Sequence, residues 1–521
     1  MDTKALRQKI LDLAIRGKLV PQDPNDEPAS VLLGRIRQQK QQMVKEGKLK
    51  PKDIKNDSVI FVGEDNLHYE KFADGRVKCI EDEIPFDLPE GWEWVRLGSV
   101  GDMTLGKMLD VTKNKGTLRP YLRNINVRWG AFELSDVLEM RFEDDELERY
   151  SIRHGDLVIC EGGEPGRCAV WQSEEVVFYQ KALHRVRAIE VRPEFLYYVI
   201  RHFIISNQYE RYYTGTTIKH LTGQSLRIIP IPLPPLNEQK LIVEHLQRII
   251  EEIDKIETEK TEALSLVSFA KSKILDLAIR GQLVPQDLND EPASVLLERI
   301  RVEKEELIKQ GKIKRNKKES IIFRGEDNSY YVRQDTHMES IDEQFIFELP
   351  DNWEWCSLLN IAKIELGKTL DSAKNIGTNY PYLRSVNVRW NEVDLSDLKE
   401  MRFEPEELDR YTVRHNDLLI CEGGDVGRSC VWTDEKEILY QNALHRVRFY
   451  GGCNPFYFMY YMKYYESRGI IKALCKGVTI KHLTGNVLSL IPFALPPIEE
   501  QDRIVKRLNR IFVLLDSIIC D

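Results

Sequence analysis

The chain has 521 residues, 42% apolar and 9% aromatic, which suits two or three domains with substantial cores and excludes a mostly disordered protein. No charge-free apolar run reaches the roughly 18 residues of a membrane span, and Met1-Asp2 opens no signal peptide, so a cytoplasmic location is expected. Nine scattered cysteines without C-x-x-C spacing read as reduced thiols, and a net charge of -9 confines any DNA surface to local basic patches.

Taken in chain order, Leu6, Ile10 and Leu13 place a helical seam at the start of a segment, 1–80, that reads as helical. A mixed α/β domain over 81–235 follows. In it Arg123-Asn-Ile-Asn-Val-Arg-Trp129 alternates polar and apolar residues, as a strand with one wet face does. Asp156-Leu-Val-Ile-Cys160 reads as a short buried strand, and Phe195 to Ile205 as a helix. Between them Gly162, Gly163 and Gly166 with Arg167 form a turn that can bring backbone N–H groups to a phosphate, or simply connect two strands.

From Arg201 to Arg227 four Lys or Arg face one acid, with Tyr209, Tyr212 and Tyr213 interleaved; most of these tyrosines read as helix packing. The region 236–312 then opens with Ile242, Leu246, Ile249, Ile253, Ile256, Lys260, Ala263, Val267, Ala270, Ile274 and Leu277 in unbroken 4,3 spacing, a heptad seam spanning about 54 Å at 1.5 Å per residue. Seven acids against four bases between Glu238 and Lys260 put the acidic excess on this helix. A second α/β domain, 313–497, and a helix, 498–521, with Ile504, Leu508, Ile511, Leu515 and Ile518 in seam positions complete the chain.

The second half repeats the first. ILDLAIRG at Ile10 recurs at Ile274, LPEGWEW at Leu88 returns as LPDNWEW at Leu349, and TIKHLTG at Thr217 recurs at Thr479. Leu88 to Arg187 aligns with Leu349 to Arg448 without a gap and with more than half the positions identical. This is a tandem duplication in which each unit carries the second half of one helix, a globular domain and the first half of the next. Wrapped round, such a chain is expected to be a nearly circular α+β molecule with a pseudo-twofold axis, its central helix antiparallel to the pair formed by the terminal segments. A coiled coil of this kind also serves plain packing or dimerisation.

Candidate DNA contacts follow from donor type and placement. In the first copy they are Lys107, Arg123, Asn124, Asn126, Arg128, Arg167, Gln180, His184, Thr216, Thr217, Lys219 and His220. In the second they are Lys368, Arg384, Ser385, Asn387, Arg389, Arg428, Gln441, His445, Thr479, Lys481 and His482. A solvated strand is the plain alternative for several of them.

The I-P-L-P-P-L-N-E-Q start of the heptad helix at Ile231, its return as L-P-P-I-E-E-Q at Leu495, the L-P-x-x-W-E-W opening and the G-D-L-V-I strand with its glycine turn resemble the specificity subunit of type I restriction-modification enzymes. The resemblance implies a non-catalytic chain whose two target recognition domains read the halves of a split double-stranded DNA site. It also implies two methyltransferase subunits docked on the helices, and restriction subunits that cut unmodified DNA. S-adenosylmethionine would belong to the methyltransferase, ATP and Mg2+ to the restriction partner, and no cofactor or metal to this chain. In agreement, there is no Asn- or Asp-Pro-Pro-Tyr/Phe motif, no F-x-G-x-G and no Walker A sequence. Because the two domains are so alike, a nearly palindromic site is expected. The rival readings are a coiled-coil scaffold with duplicated protein-binding domains and a standalone DNA enzyme.

Overall fold

The computed structural model describes residues 2–55, 57–215, 219–315, 320–334, 337–341, 347–371, 373, 375–475 and 482–520. It comprises two compact units, Met1–Glu259 and Lys260–Asp521, of mixed helix and strand. The boundary falls inside one continuous helix, Leu236–Ile279.

In the first unit two four-stranded sheets share a core. One runs Cys168–Val170, Leu157–Cys160, Leu183–Ala188, Gly101–Leu105 in antiparallel order. The other runs Ser151–Ile152, Val177–Tyr179, Thr117–Leu122, Leu138–Phe142, with one parallel pair, Tyr179 beside Leu122. The period-2 alternation of Leu157–Cys160 explains why all four residues are apolar. Leu157 and Ile159 enter the core under the helix Pro193–Ile205, while Val158 and Cys160 join Leu122, Val127 and Tyr179 between the sheets. The second unit repeats this with Leu418–Cys421 and the helix Pro455–Ser467.

Segment 1–80 is not helical throughout. Helices Thr3–Ile15 and Ala29–Lys45 are followed by an antiparallel meander, Ser58–Val62, His68–Phe72 and Val77–Cys79. Its turns carry Asn66 (φ 62°) and Asp74-Gly75 (Gly75 φ 87°), residue types that favour tight hairpins.

Each unit pairs its own helix halves. Arg7 of Thr3–Ile15 meets Asp254 at 2.5 Å, and at the corresponding place in the second unit Lys271 meets Asp516. Ile242, Leu246, Ile253, Ile504 and Leu508 are buried and Ile249, Ile511 and Leu515 half-buried, whereas Ile256 and Ile518 are exposed. Further along, the buried face passes from Ile274 and Leu277 to Leu275, Ala278 and Ile279. A straight helix with 3.6 residues per turn drifts about 20° per heptad away from a 3.5 spacing, which accounts for the slippage.

The E-Q pair at the helix start, present in both copies, is a clasp. The Trp92 indole donates to Glu238 at 2.8 Å, Gln239 accepts from the Arg192 N–H at 2.9 Å and donates to Pro234 O at 2.9 Å. Glu500 and Gln501 repeat all three bonds with Trp353, Asn454 and Pro496. Burial raises the Glu238 and Glu500 carboxyls above their ordinary range. Among the described cysteines six are buried, and burial pushes the Cys160 thiol up to about 11.

Candidate nucleic-acid interface

Five segments converge where strands Gly101–Leu105, Thr117–Leu122, Leu157–Cys160 and Val177–Tyr179 end and Leu183–Ala188 begins. Lys181 N–H donates to Lys107 O at 2.7 Å, Gln180 N–H to Leu122 O at 3.1 Å, Glu161 N–H to Ala182 O at 2.9 Å and Leu221 N–H to Glu161 O at 2.7 Å. Arg167 adds a guanidinium bond to Asn124 O at 2.9 Å. The second unit repeats every link: Asn442 to Lys368 O, Gln441 to Leu383 O, Glu422 to Ala443 O, Leu483 to Glu422 O and Arg428 to Ser385 O. Ala182 (φ 142°) and Ala443 (φ 84°) occupy positive-φ backbone at the centre of this network, a strained conformation for a residue with a Cβ.

The sequence candidates divide by what their side chains do here. Asn126 and Asn387 are buried: each side chain accepts from a backbone N–H (Arg123, Arg384) and donates to two carbonyls, so they close the turn rather than reach a base. His184 and His445 are buried against Leu221 O and Leu483 O at 3.0 and 2.8 Å, and burial lowers both pKa values. Lys107 and Lys368 are also buried, the first bonded to Glu143 and Glu146 and the second to Glu407. Burial turns these six side chains inward, where they support the network rather than present a donor at its surface.

Others are half-buried or exposed, and most are tied. Arg123 and Arg384 reach Asp136 and Asp397 at 2.8 and 2.7 Å, while Arg167 and Arg428 bond Glu164 and Asp425. Lys219 meets Glu210 at 3.2 Å. Arg128 is exposed with no ionic partner among the described residues, and Arg389 is 4.0 Å from Asp394. Asn124, Ser385, Gln180 and Gln441 are half-buried, and His220 and His482 exposed. The His220 and His482 rings lie over Gly162 and Gly423, where a Cβ would stand 3.0 and 3.5 Å from a ring atom. Gly162 and Gly423 are buried and Gly163 and Gly424 exposed, and among the described residues no acceptor takes the N–H groups of the two exposed glycines. Thr216, Thr217, Thr479 and Lys481 lie outside the described residues.

Tyr209, Tyr212, Tyr457, Tyr460, Tyr461, Tyr464 and Tyr465 are buried in the packing of the helices, so these aromatics do not form a base-stacking platform. Supports such as Asp136, Glu143 and Glu407 escape a search for donors because a carboxylate only accepts hydrogen bonds.

A duplicated α+β domain, with exposed donors gathered at the end of its sheets and with helices that run on from it, defines a modular recognition protein. The type I restriction modification DNA specificity domain model matches twice, at 89–266 and 350–518. The specificity subunits of the type I restriction enzymes EcoAI and EcoEI from Escherichia coli are each 26% identical to this chain; the alignments cover 98% and 99% of it and 88% and 90% of theirs. A solved chain described under complex assembly and conformational transition of the type I R-M system shares the fold with TM-score 0.52 at 21% identity, over 84% of this chain and 93% of its own. The chain belongs to the type I restriction-modification DNA specificity family.

Proposed function

We propose that this chain, a DNA sequence-specificity subunit of a type I restriction-modification system, reads a split site of two similar half-sites, one per unit. The carrying observation is the repeated network: five bonds hold five segments together in the first unit and the five corresponding bonds do so in the second, while residues on it differ at few positions, such as Asn124 against Ser385 and Lys181 against Asn442. Similar surfaces read similar sequences, and one altered bidentate contact changes discrimination by about 1–3 kcal/mol at its base pair. The half-sites are therefore near copies that differ at one or two positions, giving a near-palindrome if the units read in opposite directions.

Gly163 with Arg128 suits phosphate contact, and Asn124, Gln180 and His220 suit base contact. The chain supplies no chemistry in this reading. Partner subunits carry it, two methyltransferases with S-adenosylmethionine and restriction subunits with ATP and Mg2+. Among the described residues no group of three His, Cys, Asp or Glu side chains is placed to hold a metal ion, and no helix is long and apolar enough to cross a membrane.

The test is a methylation map of DNA from cells carrying the methyltransferase subunit with and without this chain. Methylated adenines in a two-part motif only when the chain is present support the reading. Absence of chain-dependent methylation in a folded complex with an active methyltransferase overturns it in favour of a protein-binding scaffold.

A further inference from the structure

Resting on the DNA-specificity reading, we propose that the loop between Gly106 and Gly116 enters the major groove and sets base preference in the half-site read by the first unit. None of its outward residues was among the sequence candidates. The pattern G-K-x-L-D-x-x-K-N-x-G is common to both copies.

Both ends of the loop are pinned by close backbone approach. A Cβ on Gly106 would stand 2.2 Å from Gln180 O, and one on Gly116 1.8 Å from Phe142 O; for Gly367 and Gly377 the distances are 2.2 Å to Gln441 O and 2.1 Å to Phe403 O. The interior is ordered by its own side chains. Asp110 accepts from the N–H groups of Thr112 and Lys113 at 3.1 Å, and Asn114 donates across the loop to Met108 O at 3.1 Å, a bond repeated by Asn375 and Thr369 O. Beneath, the Lys107 ammonium and the Lys115 N–H hold the Glu143 carboxyl down to about 2. Lys107 therefore anchors the loop while its charge is spent on acids.

What such a rigid loop presents outward is unusual for a surface. Leu109 is 51% exposed and Val111 85% exposed, with Met108 beside them and Leu370 57% exposed in the other copy. Lys113, 83% exposed, stands 3.6 Å from Asp110, and Lys115 is also exposed. Single exposed apolar residues need no explanation, but an apolar tip flanked by cations on a loop ordered by its own hydrogen bonds has the makeup of a groove reader. Apolar side chains discriminate thymine by its C5-methyl, and Lys binds the flanking phosphates. Position agrees, since the Lys181 bond to Lys107 O ties the loop base to the network beside Gln180 and Asn124.

The test uses the full chain in complex with its methyltransferase subunit and measures binding to duplexes in which each half-site base is varied in turn. L109S/V111S should lower discrimination about tenfold or more at one half-site and leave the other intact. K113Q should weaken binding on all sequences alike and reduce the salt slope by about 1. Thermal melting of each variant accompanies the binding data, and the single variants L109S and V111S replace the double one if it unfolds. Folded variants that keep full discrimination at both half-sites overturn the loop assignment while leaving the specificity reading intact. A wild-type complex without any base preference overturns both.

Discussion

The two units share a backbone plan but stabilise one corner of it by different chemistry. In the first, buried Arg96 bonds Glu70 at 2.5 Å and Glu83 at 2.7 Å, with Ser58 donating to Glu70. In the second, Ser357 replaces the arginine and Val332 the first glutamate, and Ser357 bonds Asn360, which donates to Ser320 O at 2.9 Å. Duplication thus preserves shape, not interactions, because a buried ion network and a small polar cluster over an apolar side chain satisfy the same space. Breaking the first solution alone should have the largest effect. Arg96→Ser leaves the Glu70 carboxylate buried without an ionic partner, while Glu83 keeps Lys78, and should cost the first unit about 3–5 kcal/mol in urea denaturation, with Glu70→Val restoring much of it. Equal stability of the single and double variants would mean the two corners are not interchangeable.

A second contrast lies where the helix after the core sheet meets the helical pair. His202 is buried, with its Nε2 3.8 Å from Asp12, and burial lowers its pKa from 6.5 to about 4. The matching residue is Tyr464, whose hydroxyl donates to Asp276 at 3.3 Å, the counterpart of Asp12. Unfolded histidine takes up a proton near 6.5, whereas the buried ring stays neutral until about 4. Its contribution is therefore complete above about pH 6.5 and lost as pH falls toward 4, by up to about 3 kcal/mol. The first unit should melt before the second in acid, and His202→Tyr should remove that difference; a pH profile unchanged by the substitution would break the comparison.

At the candidate interface the contrast narrows to single side chains. Converting Asn124→Ser and Lys181→Asn gives the first unit the second unit's residues without touching the bonds made by the Asn124 carbonyl or the Lys181 N–H. The half-site preference of the first unit should move toward that of the second by about 1–3 kcal/mol at one base pair, read as a changed position in the methylation motif, with no change in melting temperature.

Much of this was legible in the sequence. Repeated blocks disclosed the duplication, the run Leu157–Cys160 its buried strand, and the 4,3 spacing the helical pairing. What donor chemistry could not convey was direction. Asn124 and Asn126 sit two apart in one turn, yet the first is half-buried and the second closes the turn with three bonds. His184 and His220 look equally suited to DNA, but the first belongs to a central strand and is enclosed from both sides. The meander at Ser58–Cys79 leaves a weak sequence signal although Asp74-Gly75 marks its turn, since its strands are short and their apolar face is interrupted by charged residues. The groove-facing loop carries apolar residues, the opposite of what a search for bases and amides selects.

The smallest expected effect concerns the helical pairs. Arg7 contacts Asp254 at 2.5 Å and Glu257 at 3.0 Å from a side chain that is mostly shielded, while both acids are largely open to solvent; Lys271 has Asp516 alone as an ionic partner among the described residues. Ion pairs this exposed contribute about 0.2–1 kcal/mol, because water already solvates the acids and two long side chains lose freedom. Arg7→Ala should therefore cost under about 1 kcal/mol and Lys271→Ala less, each loss shrinking further as salt is raised. A larger cost that persists in high salt would show that the arginine acts through packing of its aliphatic stem over Leu11 and Ile253, which line the same small cavity. In that case the lock between helix halves is apolar in both units, and the charges only fix which residues face each other.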